Sequence, residues 1–178
     1  MFKKILLFAI CCFIPSVAVG QNALVYNVGD PTFTCIAGVP KDVTISLSWS
    51  DNRQSEIVNG EWRHPQDDKK YFTVSQYVPR VIPGVAGQPP TTEMRWVEIA
   101  RTMEATGTFD GASVWENLEH HAGYDTIIRV ECWVKVYGFN EIFGHTWSIP
   151  FRRHKKTWKL VCGQNPVVIP DNTGVGND

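Results

Sequence analysis

Two stretches of this chain alternate apolar and polar residues with the period of two that a half-buried strand requires. Val43, Ile45, Leu47 and Trp49 alternate with Thr44, Ser46 and Ser48, so an extended backbone turns the apolar side chains to one face and the hydroxyls to the other. Ile128, Val130, Cys132, Val134 and Val136 alternate with Arg129, Glu131, Trp133, Lys135 and Tyr137, which puts Cys132 in an aliphatic stripe and the charges toward water. Shorter runs repeat the theme: Phe33 with Cys35, Phe72 with Val74 and Val78, Trp147 with Ile149 and Phe151, and Trp158 with Leu160 and Cys162. Turn-forming residues separate them at Gly29-Asp30-Pro31, Gly38 to Pro40, Asp51-Asn52, Asn59-Gly60, His64-Pro65 and Gly138 to Gly144. Short strands at this spacing predict an all-β, mainly antiparallel sandwich or barrel.

Two segments carry helical signals against that background, so one or two short helices are expected in loops. Trp96, Ile99, Ala100 and Met103 fall on one helical face, with Thr91 and Thr92 as N-cap candidates and Gly107 beyond the end. Arg95, Val97 and Ile99 also alternate, so a strand competes there. Ser113 to Glu116 has capping-box spacing, Val114, Leu118 and His121 would lie near one another, and Gly123 would stop the helix. The run from Pro79 to Pro90 holds many prolines and glycines and is read as a long exposed loop.

The beginning of the chain has a different composition. Lys3 and Lys4 precede an apolar run from Ile5 to Ile14, and Ala18-Val19-Gly20 supplies small residues before Gln21. That is the layout of a secretory signal peptide over residues 1–20, with an apolar run shorter than the roughly 20 residues a membrane-spanning helix needs. Lipid attachment at Cys11 or Cys12 is disfavoured, because Ile10 and Cys11 precede them where a small residue belongs. The expected organisation is therefore a signal peptide, one β-sandwich domain over 21–170, and a flexible tail over 171–178 poor in apolar residues. The expected location is secreted or periplasmic.

Composition narrows the partners. The 17 basic and 18 acidic side chains nearly cancel, which gives no reason to expect nucleic acid. Seven Trp, nine Phe and five Tyr make an aromatic load that suits the interior of a sheet protein. Beyond the signal peptide only Cys35, Cys132 and Cys162 remain, and an oxidising compartment permits one bridge among them.

Cys35 in an early strand, Trp49 ending the next and Cys132 centring a late strand resemble the cysteine, tryptophan, cysteine layout of immunoglobulin-like sandwiches. That resemblance implies a Cys35–Cys132 bridge packed on Trp49; a related sandwich of other topology and a Cys132–Cys162 bridge are the competing readings. Val130 stands where the resemblance would place a tyrosine.

No motif for catalysis, phosphate cradling or thiolate metal binding occurs, and no cofactor is expected. His120 and His121 are adjacent and diverge on a helix; His64, Asp67 and Asp68 flank a proline turn; both read better as solvated polar groups than as metal ligands. Arg152, Arg153, His154, Lys155 and Lys156 form one dense basic run, read as a hairpin loop, and Arg152, Arg153 and Lys155 are the first candidates for a binding surface. Trp133 and Tyr137, on the polar side of their strand, are the second. The leading expectation is an exported, non-enzymatic binding domain for a protein or glycan partner, with peripheral contact to anionic surfaces as an option. The alternatives are a periplasmic inhibitor or immunity-type protein using the Pro79 to Pro90 loop as a plug, and a cell-wall or glycan hydrolase with dispersed carboxylates.

Overall fold

The computed structural model describes residues 23–58, 60–85, 87–115, 118–140 and 145–170. The chain runs through β1 (Leu24–Val28), β2 (Thr32–Ile36), β3 (Val39–Asp51), β4 (Glu56–Val58), β5 (Glu61–Arg63), a single 3₁₀ turn (Pro65–Asp67), and β6 (Lys69–Ile82). It continues through β7 (Thr91–Arg101), β8 (Phe109–Trp115), β9 (Thr126–Asn140), β10 (His145–Leu160) and β11 (Val167–Ile169). Every strand pairing is antiparallel.

Two sheets make the sandwich. In the first, β3 is central: β8 pairs with one of its edges, while β1 and β2 lie end to end along the other. Gly29-Asp30-Pro31 interrupts that second edge, and the Gly29 amide still donates to the Ser46 carbonyl at 2.9 Å. The second sheet has the order β11, β10, β9, β6, β7. β4 and β5 form a separate small hairpin.

Alternation explains the core. Val43, Ile45, Leu47 and Trp49 of β3 face Phe72 and Val74 of β6, Ile128, Val130 and Cys132 of β9, and Trp158 and Leu160 of β10. Trp49 is the centre of an aromatic group: its ring stacks on Phe109 at 4.6 Å, lies 5.3 Å from Phe72, and its Nε1 donates to the Gly107 carbonyl at 2.7 Å. A buried indole therefore loses no hydrogen bond while contributing a large apolar area. The β2–β3 hairpin closes through Ala37 and Gly38, at φ of +52° and +77°, the left-handed pair that a two-residue type I′ turn needs.

Several expectations need correction. Residues 91–101 form strand β7, not a helix. Residues 113–115 belong to β8, and residues 118–121 run without helix: the Gln76 amide donates to the Glu119 carbonyl at 2.6 Å and accepts from the Glu119 amide at 2.9 Å. That clamp satisfies the Glu119 backbone groups as a helix otherwise would. The expected loop at Pro79 is shorter, because β6 continues to Ile82. The expected signal peptide and tail lie outside the described residues.

The cysteines pair in a third way. Cys35 bridges Cys162, and Cys132 is a buried free thiol. Cys132 sits at the middle of β9, inside the second sheet, whereas Cys35 is at the end of β2 on the outer edge of the first. Cys162 follows β10, whose end reaches that same open side, so the sulfurs that meet are those at the sandwich border. The Cys35–Cys132 bridge does not form, and Trp49 packs on aromatic rings rather than on a disulfide. No described helix is long and apolar enough to cross a membrane.

Candidate functional site

The basic run that reads as a loop lies inside strand β10. It contains a β-bulge: Arg152 pairs with Trp133 and His154 with Cys132, leaving Arg153 as the extra residue. A bulge bends its strand and re-aims side chains, and here it divides the run. Arg152 turns to the outer face, where it donates to Glu131 at 2.7 Å. Lys156 turns toward the first sheet and reaches Asp30 at 2.8 Å and the Val28 carbonyl at 3.4 Å. Asp30 also accepts from the Trp158 indole at 3.1 Å, and these hydrogen bonds from Lys156 and Trp158 hold its carboxyl below the usual range.

Arg153 and His154 face an open cleft of about 520 Å³ between β1 and β10, whose other wall is Ala23 to Tyr26 with Arg53 at its end. Tyr26 spans the two sheets: its hydroxyl donates to the Trp133 carbonyl at 2.8 Å, beside the bulge. Burial pushes that phenol upward, so it stays a neutral donor. Arg153 has no carboxylate partner among the described residues; its guanidinium lies 5.8 Å from the Phe151 ring. Beyond the Lys156–Asp30 latch, the same side of the sandwich is stapled by Cys35–Cys162. The sheets are therefore tied at one end of the β1–β2 edge and open at the other.

A buried ionic group lies next to the cleft's end. Lys70 and Asp51, both with side chains at 0% exposure, pair at 2.8 Å. Arg53 donates to both Asp51 oxygens, at 2.8 and 2.7 Å, and to the Pro65 carbonyl at 2.7 Å. Burial opposes ionisation of Asp51, but the hydrogen bonds from Arg53 and Lys70 prevail and hold its carboxyl at about 2. For Asp68 burial prevails and its carboxyl is raised, against the pull of Arg63 and Arg53. Arg53 is thus committed to Asp51, which leaves Arg153 as the cation directed into the cleft.

The other predicted surface is more closed than alternation suggests. On the outer face of the second sheet, Trp133 stacks on Tyr71 at 6.2 Å and donates through Nε1 to Thr73 at 3.0 Å. Arg129 lies 4.2 Å from the Trp96 ring, Arg101 4.9 Å from the Tyr71 ring. Arg129 and Glu131 are each 5% exposed, not turned to water, because long neighbours on flanking strands close over the central strand β9. Tyr137 remains exposed, with Lys69 and Lys135 near its ring. Trp133 and Tyr137 therefore do not form one open surface with each other.

Three of the polar groups considered as metal ligands hold other partners. His64 Nδ1 shares a 2.6 Å hydrogen bond with Ser55, Asp68 accepts from Arg63 at 2.9 Å, and His121 meets Glu119 at 3.0 Å. No group of three or more candidate ligands occurs among the described residues. Arg153 was within reach of sequence reasoning as a charge. The participation of Leu24 and Tyr26 was not, since nothing local says that β1 borders β10.

The fold and cleft define an all-β sandwich with a disulfide-stapled margin and a basic, partly apolar opening beside it. No protein-family model matches the chain, and no curated protein matches it.

Proposed function

We propose that the protein is an exported binding domain, with no chemistry of its own, that recognises an anionic partner through the cleft between β1 and β10. The observation that carries this reading is Arg153: the bulge residue lines the cleft and no described carboxylate neutralises it. A guanidinium presents five donors in a planar fork suited to carboxylate or sulfate groups, so an unpaired one on a concave surface favours an anionic ligand. The apolar wall from Leu24 and Val25 adds contact area without competing charge. The cystine and the lysine-led apolar start of the sequence support export, the first because oxidising compartments preserve disulfides.

The test is retention on immobilised heparin, used as an anionic probe, against increasing salt. The chain's formal net charge is −1, so retention must come from a local cationic site rather than from overall charge. The wild-type protein is expected to bind at low salt and the Arg153→Glu variant to elute earlier. Wild-type protein that passes through unretained, or equal elution of the two, would overturn the reading.

A further inference from the structure

The register of β1 shows what shape of ligand the cleft is built to take. The Asn52 amide donates to the Ala23 carbonyl and the Gly29 amide to the Ser46 carbonyl, at 3.0 and 2.9 Å. Both bonds fall in the same register as the pairs Val25 with Ser50 and Asn27 with Ser48. In an antiparallel ladder alternate residues bond the neighbour and those between point away. Ala23, Val25, Asn27 and Gly29 thus face β3, while Leu24, Tyr26 and Val28 turn their N–H and C=O groups to the free edge. The Val28 carbonyl is taken by Lys156, at 3.4 Å. Leu24 and Tyr26 remain, and both line the cleft opposite Arg153 and His154.

Sheet edges are ordinarily blunted by charges, proline or bulges. β10 carries all three along Pro150 to Lys156, and β7 carries Glu93, Arg95, Glu98 and Arg101. β1, with the sequence Leu-Val-Tyr-Asn-Val, carries none of them. The strand is roughly 17 Å long, its outward Leu24 and Tyr26 backbone groups meet no partner among the described residues, and a cation stands on the facing wall.

We propose that the β1 edge receives an extended, acidic peptide segment of another protein, which adds as a strand beside β1 and places its carboxylates against Arg153. Main-chain hydrogen bonds to Leu24 and Tyr26 supply the pairing, and Arg153 selects for acid. This rests on the binding reading above and specifies its ligand.

The probe is a ten-residue peptide alternating valine and glutamate, which presents its carboxylates as a row on one face, so that only the register turning that face to Arg153 is selected. Binding to the purified full chain is followed by fluorescence anisotropy, together with amide hydrogen exchange of the protein. The peptide is expected to bind with an affinity that falls at least tenfold on Arg153→Glu. It is expected to slow exchange at the Leu24 and Tyr26 amides at least tenfold, with little effect at Val25 and Asn27, which are already bonded. N-methylation of alternate peptide amides in one frame should abolish binding, and methylation in the other frame should be tolerated.

Heparin retention that depends on Arg153 without peptide binding, or peptide binding without protection of Leu24 and Tyr26, would overturn the strand inference while the binding reading stands. Failure of both probes would overturn both. Concentration-dependent self-association that protects the same amides without peptide would assign the edge to a second copy of the chain and also overturn the inference.

Discussion

Replacing Cys35 and Cys162 together by serine removes the staple at the sandwich margin while leaving Cys132 in the core. The bridged residues are 127 apart in sequence. In the chain-entropy model a loop of that length restricts the unfolded ensemble by an amount worth about 5 kcal/mol at 25 °C, toward the upper end of the usual range. For a domain of this size each kcal/mol corresponds to about 2–4 °C in Tm, so the double variant should melt about 10–20 °C lower. Thermal unfolding followed by near-ultraviolet circular dichroism reports it through Trp49 and Trp158, which are both buried. The same variant separates the sulfurs chemically. Burial pushes the Cys132 thiol up to about 12, so at pH 8 the reactive thiolate is scarce. Alkylation of native wild-type protein should therefore be negligible until the domain opens. A double variant that melts within about 2 °C of wild type, or peptide mapping that finds Cys132 in a bridge, would refute the reasoning.

The buried carboxylate and the cross-sheet phenol give two further expectations. Asp51 is held at about 2 against an ordinary value of 3.8, so the folded state keeps it ionised where the unfolded chain takes up a proton. Its contribution, about 2 kcal/mol, is fully present above the unfolded value and is lost as pH falls from about 4 toward 2. Asp68, whose carboxyl is raised, acts oppositely: its contribution favours the fold in acid and is lost as pH rises. Urea midpoints between pH 4 and pH 2 should fall less steeply for Asp51→Asn than for wild type, and equal slopes would contradict the assignment. Tyr26→Phe strands the Trp133 carbonyl without the hydroxyl that now donates to it at 2.8 Å. It should cost about 1–2 kcal/mol in chemical denaturation, and a neutral result would mean that water replaces the phenol.

The strands that were legible in the sequence are those in which one face is buried and the period of two is unbroken. β3 and β9 are of this kind: Val43, Ile45, Leu47 and Trp49 are at most 1% exposed, and Ile128, Val130, Cys132 and Val134 are fully buried. What the alternation could not report is the cover on the opposite face, which is why Arg129 and Glu131 looked solvated. Disulfide pairing was equally hidden, because it depends on which sheet edges adjoin rather than on which side chains point inward.

Strands β7 and β10 depart from their sequence readings for one local reason. Each contains a bulge, and a bulge removes the period that identifies a strand. In β7 the pairing steps from Ala100 opposite Val74 to Glu98 opposite Ser75, which leaves Ile99 extra. Ile99 and Ala100 then both pack toward the core, and with Trp96 they imitate the three-and-four spacing of a helix. In β10 the extra residue is Arg153, and the broken alternation there imitates a charged loop. The imitation and the site have one origin. Had β10 kept regular alternation from Phe151, Arg153 would have fallen on the core-facing side two residues along, and His154 would have turned to the outer face with Arg152. The bulge instead brings Arg153 and His154 together on the cleft wall, sends Lys156 to Asp30, and keeps Trp158 and Leu160 in the core. Deleting Arg153 outright would remove the bulge and restore regular pairing, eliminating the cleft's cation while preserving the order of residues on either side.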